Sequence, residues 1–173
     1  LTDRVELFVP PDSGRRHVLR LIMELLAFRP TGKGTRLSAG LEYALRILHH
    51  RAVVFLVSDF LTDSSVDPEF RHAARRLSRD HDLVPIRLTD LGGERLPDVG
   101  LLALVDPETG QRHVVDTNSS DVRDAYAEQK EAHRTQLTSF FRELRLDIIE
   151  VGTEDDYVPA LISFFRRRER RPR

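Results

Sequence analysis

Residues 52–57, Ala-Val-Val-Phe-Leu-Val, form an uninterrupted apolar run rich in β-branched side chains, closed at once by Ser58-Asp59. A strand with one wet face alternates polar and apolar residues. A run that is apolar at every position fits a parallel strand covered on both faces. Parallel strands need long crossovers, usually helical, and those helices must cover the sheet. This one segment therefore narrows the chain to an α/β architecture.

The flanking sequence supplies the crossovers. Val18, Leu19, Ile22, Leu25 and Leu26 share one helical face after the cap candidates Asp12 and Ser13. Pro30 and Thr31-Gly32-Lys33-Gly34 break that helix. A second helix follows Thr35, with Leu37, Leu41, Ala44, Leu45 and Leu48 at helical spacing. Asp67-Pro68 opens a third, running to about Asp80 with Phe70, Ala73, Ala74 and Leu77 inward. Residues 83–88 read as a strand that Pro85 assigns to an edge or bulge. Residues 101–105 and 112–115 flank Asp106-Pro107-Glu108-Thr109-Gly110, a hairpin turn signal. A long helix from Asn118 to about Leu146, a buried strand at 147–151 and a helix from about Asp155 finish the pattern. At the start, residues 2–9 alternate Val5, Leu7 and Val9 against Arg4, Glu6 and Phe8, as a half-exposed strand does, and Pro10-Pro11 ends it. The expected fold is an open, mostly parallel, doubly wound sheet with an added β-hairpin. The domain spans 1–165, followed by a basic tail at 166–173.

A chain of 173 residues has room for one such domain. Its net charge of -1 creates no global field selecting nucleic acid or acidic lipid. The absence of cysteine removes disulfides and thiolate chemistry and fits a reducing compartment. No apolar run reaches the roughly 18–20 residues of a membrane helix. The chain opens at Leu1 inside the apparent first strand, and so reads as a fragment.

Gly32-Lys33-Gly34-Thr35 is not a phosphate loop, because a helix precedes it and Gly34 separates Lys33 from Thr35. Thr35 reads as a helix N-cap and Asp59 as a turn or cap residue. Both also fall where an open α/β sheet places its ligands, at the carboxyl ends of the strands. There a hydroxyl and a carboxylate are hard oxygen ligands suited to Mg²⁺. The histidines are scattered among charged neighbours and read as solvated. No Gly-x-Ser-x-Gly or His-Glu-x-x-His motif occurs. Thr89-Asp90 is a weaker strand-end candidate than Asp59. The arginine-rich tail lacks the aromatic residues that would stack bases, so nucleic acid is not the expected partner.

Three segments taken together resemble one family: 3–11 (Asp-Arg-Val-Glu-Leu-Phe-Val-Pro-Pro), 34–37 (Gly-Thr-Arg-Leu) with its helix, and 53–60 (Val-Val-Phe-Leu-Val-Ser-Asp-Phe). Segments 96–101, 106–110 and Asp156-Tyr157 extend the likeness over nearly the whole chain. The sequence resembles the bacterial domain-of-unknown-function 58 proteins, whose shared part is a von Willebrand factor A-like domain. This chain corresponds to its carboxyl-terminal part.

That resemblance implies a metal-ion-dependent adhesion site built from an Asp-x-Ser-x-Ser loop, a threonine and an aspartate. Thr35 and Asp59 match the last two. The first element lies upstream of this chain, since Asp63-Ser64-Ser65 lacks its spacing. Mg²⁺ or Mn²⁺ is thus expected in the full-length protein, with no tight binding by this fragment. The implied role is a metal-assisted protein-binding adaptor, not an enzyme, working with a MoxR-type AAA+ ATPase in a chaperone-like system. The alternative is a metal-dependent hydrolase or phosphotransferase on the same sheet. Resemblance also implies a cytoplasmic domain, with membrane segments upstream in the parent. The missing first strand would be central, leaving 52–57 with an open edge able to recruit a second copy.

Overall fold

The computed structural model describes residues 1–32, 34–61, 67–90, 95–105, 111–154 and 156–169. In chain order the elements are α1 (Arg15–Ala27), α2 (Leu37–Ile47), β1 (Val53–Ser58), α3 (Pro68–Asp80), β2 (Asp82–Thr89), β3 (Leu101–Val105), β4 (Arg112–Asp116), α4 (Ser120–Glu143), β5 (Ile149–Gly152) and α5 (Tyr157–Glu169). Strands β1, β2 and β5 form a parallel sheet in that order, and β3 pairs antiparallel with β4. The mixed α/β architecture, mostly parallel with one added hairpin, is as the periodicity requires.

Two apolar layers sandwich the parallel sheet. On one face Val54, Leu56 and Leu83 meet Leu37 and Leu41 of α2, Phe70, Ala73, Ala74 and Leu77 of α3, and Leu137, Phe140 and Phe141 of α4. Phe60, Phe70, Phe140 and Phe141 pack there with ring centroids 5.2–6.4 Å apart. On the other face Val84, Ile86, Ile149 and Val151 meet Ala160, Leu161 and Phe164 of α5. Helices on both faces are what a parallel sheet requires.

Pro85 sits in the central strand of the parallel sheet, not at the edge its ring suggested. Peptide groups along a strand alternate between neighbours. Asp82 donates its N–H to Ala52 O, and Thr153 donates to Thr89 O, so odd-numbered groups of β2 face β5. Ladder pairing with β5 begins only at Ile86 opposite Ile149. The N–H that proline lacks would therefore point past the start of β5, and no ladder bond is lost.

Four further expectations need correction. Residues 2–9 form no strand; they lie against Thr31, Gly32 and α2, where Arg36 N–H donates to Thr2 O and Phe8 meets the Tyr43 ring edge-on. Helix α1 forms with Gly14 as its N-cap and no capping side chain, and none of its residues is buried. Strand β1 is not buried on both faces: its residues alternate between exposed and half-buried, with Phe55 on the more exposed face meeting the Phe165 ring of α5 edge-on. The last helix continues through Glu169, so Arg166 and Arg167 are helical rather than part of a separate tail. For residues 2–9, α1 and β1 the spacing is as expected, but among the described residues the neighbour that spacing presumes is not found or covers less of the face. No helix among the described residues is long and apolar enough to cross a membrane.

Candidate functional site

At the carboxyl ends of β1, β2 and β5 the sheet opens into a cleft of about 830 Å³. Asp59 and Leu61 form one wall, Arg87, Leu88, Thr89, Asp90 and Thr153 the floor, and residues 127–134 of α4 the opposite wall. This is the place where parallel α/β sheets bind ligands, because strand ends and helix flanks converge there. A shallower depression of about 380 Å³, lined by Arg123 and Asp124, shares Arg95, Ala127 and Glu128 with the cleft and so prolongs it along α4.

The Asp59 wall is a tight turn held from several sides. Phe60 has φ of 54°, the left-handed region that side chains with a Cβ rarely enter. Its N–H donates to Ser58 Oγ at 3.0 Å, and Leu61 N–H donates to Asp59 Oδ1 at 3.2 Å. From α4, His133 Nε2 donates to Phe60 O. The phenyl ring, fully buried against Phe70 and Phe141, anchors the turn from below. Asp59 itself stays exposed and presents its carboxylate at the rim.

The floor carries a three-residue ion network. Arg87 is a charged residue between the apolar Ile86 and Leu88 of β2, its side chain only 8% exposed. It donates to Glu150 Oε1 at 3.2 Å, directly across the β2–β5 register. Arg134 grips the same carboxylate with two bonds, 3.3 and 2.9 Å, joining α4 to β5. Charges so placed need such partners, since an unpaired buried ion is costly. Lys130, one turn earlier on α4, lies over the Tyr126 ring at 5.3 Å. The cleft thus presents cationic groups (Arg87, Arg95, Lys130, Arg134) among anionic ones (Asp59, Asp90, Glu128, Glu131).

A second polar centre ties the amino-terminal segment down. Glu6 Oε1 accepts from Thr31 Oγ1 at 2.7 Å, Thr31 N–H at 2.9 Å and Gly32 N–H at 2.7 Å. The Thr31 hydroxyl first, then the Gly32 and Thr31 amides, hold the carboxyl down to about 2 against the opposing effect of burial. Gly32 is required here, because a Cβ would come within 2.4 Å of Thr2 and Asp3 side-chain oxygens.

Of the two sequence-derived site residues, Asp59 lines the cleft and Thr35 does not. Thr35 is half-buried just before α2, whose N-cap position is taken by Arg36, one residue later than expected, without a side-chain capping bond. Lys33, residues 62–66 and the turn at 106–110 lie outside the described residues. Among the described residues no group of three or more His, Cys, Asp or Glu side chains is placed to hold a metal ion. Two hard oxygens from Thr35 and Asp59 do not make a Mg²⁺ site, which asks for near-octahedral coordination. Thr89 and Asp90, the weaker pair, do line the cleft. Sequence reasoning missed Arg87, Lys130, Arg134 and Glu150. Arg87 carried a visible signal, a charge between the apolar Ile86 and Leu88. His81 also departs from expectation: it is buried at the end of α3, not solvated.

The sequence profile described as "Protein of unknown function DUF58" matches residues 1–136. The chain belongs to the DUF58 family. Uncharacterized protein MAV169 of Mycobacterium avium is 26% identical over 164 residues, 94% of each chain. Uncharacterized protein Rv1480 of Mycobacterium tuberculosis is 26% identical over 166 residues, 94% of this chain and 50% of its own length. The same holds for Uncharacterized protein Mb1516 of Mycobacterium bovis, so the chain spans about half of these longer relatives. No solved structure gives a significant match.

Proposed function

We propose that this DUF58 chain is the carboxyl-terminal part of a von Willebrand A-like protein-binding module whose partner surface is the cleft over β1, β2 and β5. The observation that carries the reading is the cleft's form: open to solvent, continued along α4, and lined by charges of both signs. Interspersed charge of this kind gives specificity and register to a polar protein segment, through complementary pairing along its length. The aromatic anchor beneath Phe60 and the Arg87–Glu150–Arg134 network keep both walls in fixed positions, so little ordering cost falls on binding.

The partner we assign is a MoxR-type AAA+ ATPase, for which this chain would act as adaptor. Association of the purified chain with such an ATPase, read by biolayer interferometry, tests it. Asp59→Ala and Lys130→Glu should each weaken binding by about tenfold, as expected for charged contacts at an interface. Arg167→Ala, on the far helix, should leave it unchanged. If the rim variants bind normally and deletion of 166–173 abolishes binding, the partner surface is the carboxyl-terminal helix and the reading fails.

A further inference from the structure

Two non-glycine residues among those described have positive φ, Phe60 at 54° and Arg145 at 57°. Arg145 sits just past the end of α4, where helices commonly close with a left-handed residue. Phe60 closes no helix; it follows β1 and carries the bulkiest side chain of its turn. A bulky residue persists in this conformation where its surroundings over-determine it, and such residues gather at functional sites.

The Phe60 ring is held in the core by Phe70 and Phe141, which fixes the side chain but not the peptide groups on either side of it. The bonds from Phe60 N–H to Ser58 Oγ and from Leu61 N–H to Asp59 Oδ1 lie within the turn and would travel with it. The bond from His133 Nε2 to Phe60 O is of another kind, since it reaches the turn's backbone from 73 residues away. A carbonyl oxygen only accepts, so Nε2 carries the hydrogen. His133 is half-buried and stands among the α4 residues that wall the cleft, Lys130, Glu131 and Arg134. Adjacent residues of one helix thus reach the first and third strands of the parallel sheet: His133 the end of β1, and Arg134 the Glu150 carboxylate of β5. Arg134 ties the α4 wall to the floor, and His133 ties it to the Asp59 wall.

We propose that His133 is the positioning residue of the cleft: its bond to Phe60 O holds the turn left-handed and thereby fixes where Asp59 presents its carboxylate. The effect on the turn stands on this geometry alone; the effect on binding rests on the reading of the cleft as the partner surface. With the bond in place the carboxylate is preorganised, and association bears no cost of ordering the turn. Without it the turn relaxes to an ordinary negative φ with the ring still in the core, and Asp59 leaves its place on the rim.

Two substitutions separate the hydrogen bond from the bulk of the side chain. His133→Gln keeps an N–H donor at about the reach of Nε2, and His133→Leu fills the space without one. In the chain by itself, the NOE between the amide and α protons of Phe60 is strong at positive φ, where the two lie closest. It should stay strong in His133→Gln and weaken in His133→Leu, while the methyl signals of the buried Leu77 and Leu137 stay in place as the check on folding. Against the ATPase of the proposed function, His133→Leu should weaken binding about tenfold, as Asp59→Ala does, and His133→Gln should bind like the parent chain. The double variant His133→Leu, Asp59→Ala should bind no worse than either alone, because both remove one contact. A strong Phe60 NOE in His133→Leu overturns the positioning role, and additive losses overturn its action through Asp59. A weakened NOE with binding untouched in both single variants upholds the latch and overturns the cleft as partner surface. One measurement needs no variant: long-range proton–nitrogen spectra of the unmodified chain should show His133 protonated at Nε2, and the Nδ1–H tautomer alone would end the proposal.

Discussion

Glu6 gathers three hydrogen bonds on one oxygen while its other oxygen, Oε2, is buried without a partner among the described residues. Such an arrangement favours the ionised form, and it lowers the group from 4.5 to about 2. A depressed carboxyl pKa contributes stability that is fully present above the unfolded value, near 4.5, and is lost as pH falls toward 2. Glu6→Gln should therefore lower the urea midpoint at neutral pH, and the gap to the parent chain should close between about pH 4.5 and 2. A gap that stays constant down to pH 2 would mean the carboxylate's charge is irrelevant there. In the sequence Glu6 is simply a polar member of an alternating stretch. Its role comes from Thr31 and Gly32, some 25 residues on, which no local pattern reveals. Arg87 and Glu150 share this limit: each is an odd charge in a strand until the β2–β5 register sets them side by side. Asp59 was legible because its signal is local, a carboxylate closing an apolar run.

Helices α1 and α3 show what periodicity does and does not carry. Both have apolar residues at helical spacing, yet α3 buries Phe70, Ala73, Ala74 and Leu77 while α1 buries nothing. Spacing fixes which side of a helix is apolar; whether a neighbour covers that side is decided elsewhere in the chain. Their starts differ too. Asp67 accepts the Phe70 N–H at 2.5 Å and Pro68 occupies the first turn, whereas Gly14 offers no side chain to α1. Asp67→Ala should cost about 1 kcal/mol, the usual worth of an N-cap side chain, read as a shift in the urea midpoint at unchanged slope. A neutral result would show that Pro68 and the packing of α2 against α3 hold the helix start alone. The stretch at 2–9 makes the same point for strands: alternation is present, but a strand exists only when another pairs with it, and among the described residues none does.

At the scale of the molecule, opening free energy should follow coverage and not secondary structure. Amides protected by the two apolar layers open only with the whole domain, while exposed elements open locally. The β2 amides and the buried carboxyl half of α4 should thus exchange slowest, and α1 and the β3–β4 hairpin far faster, a two-stranded ribbon being marginal by itself. Strand β1 should follow the same rule, since Val54, Leu56 and Ser58 are bonded to β2 and should be protected with it. Hydrogen–deuterium exchange by NMR reads this residue by residue. Fast exchange of the β2 amides beside slow exchange in α1 would mean that coverage by the two apolar layers does not set the opening free energy.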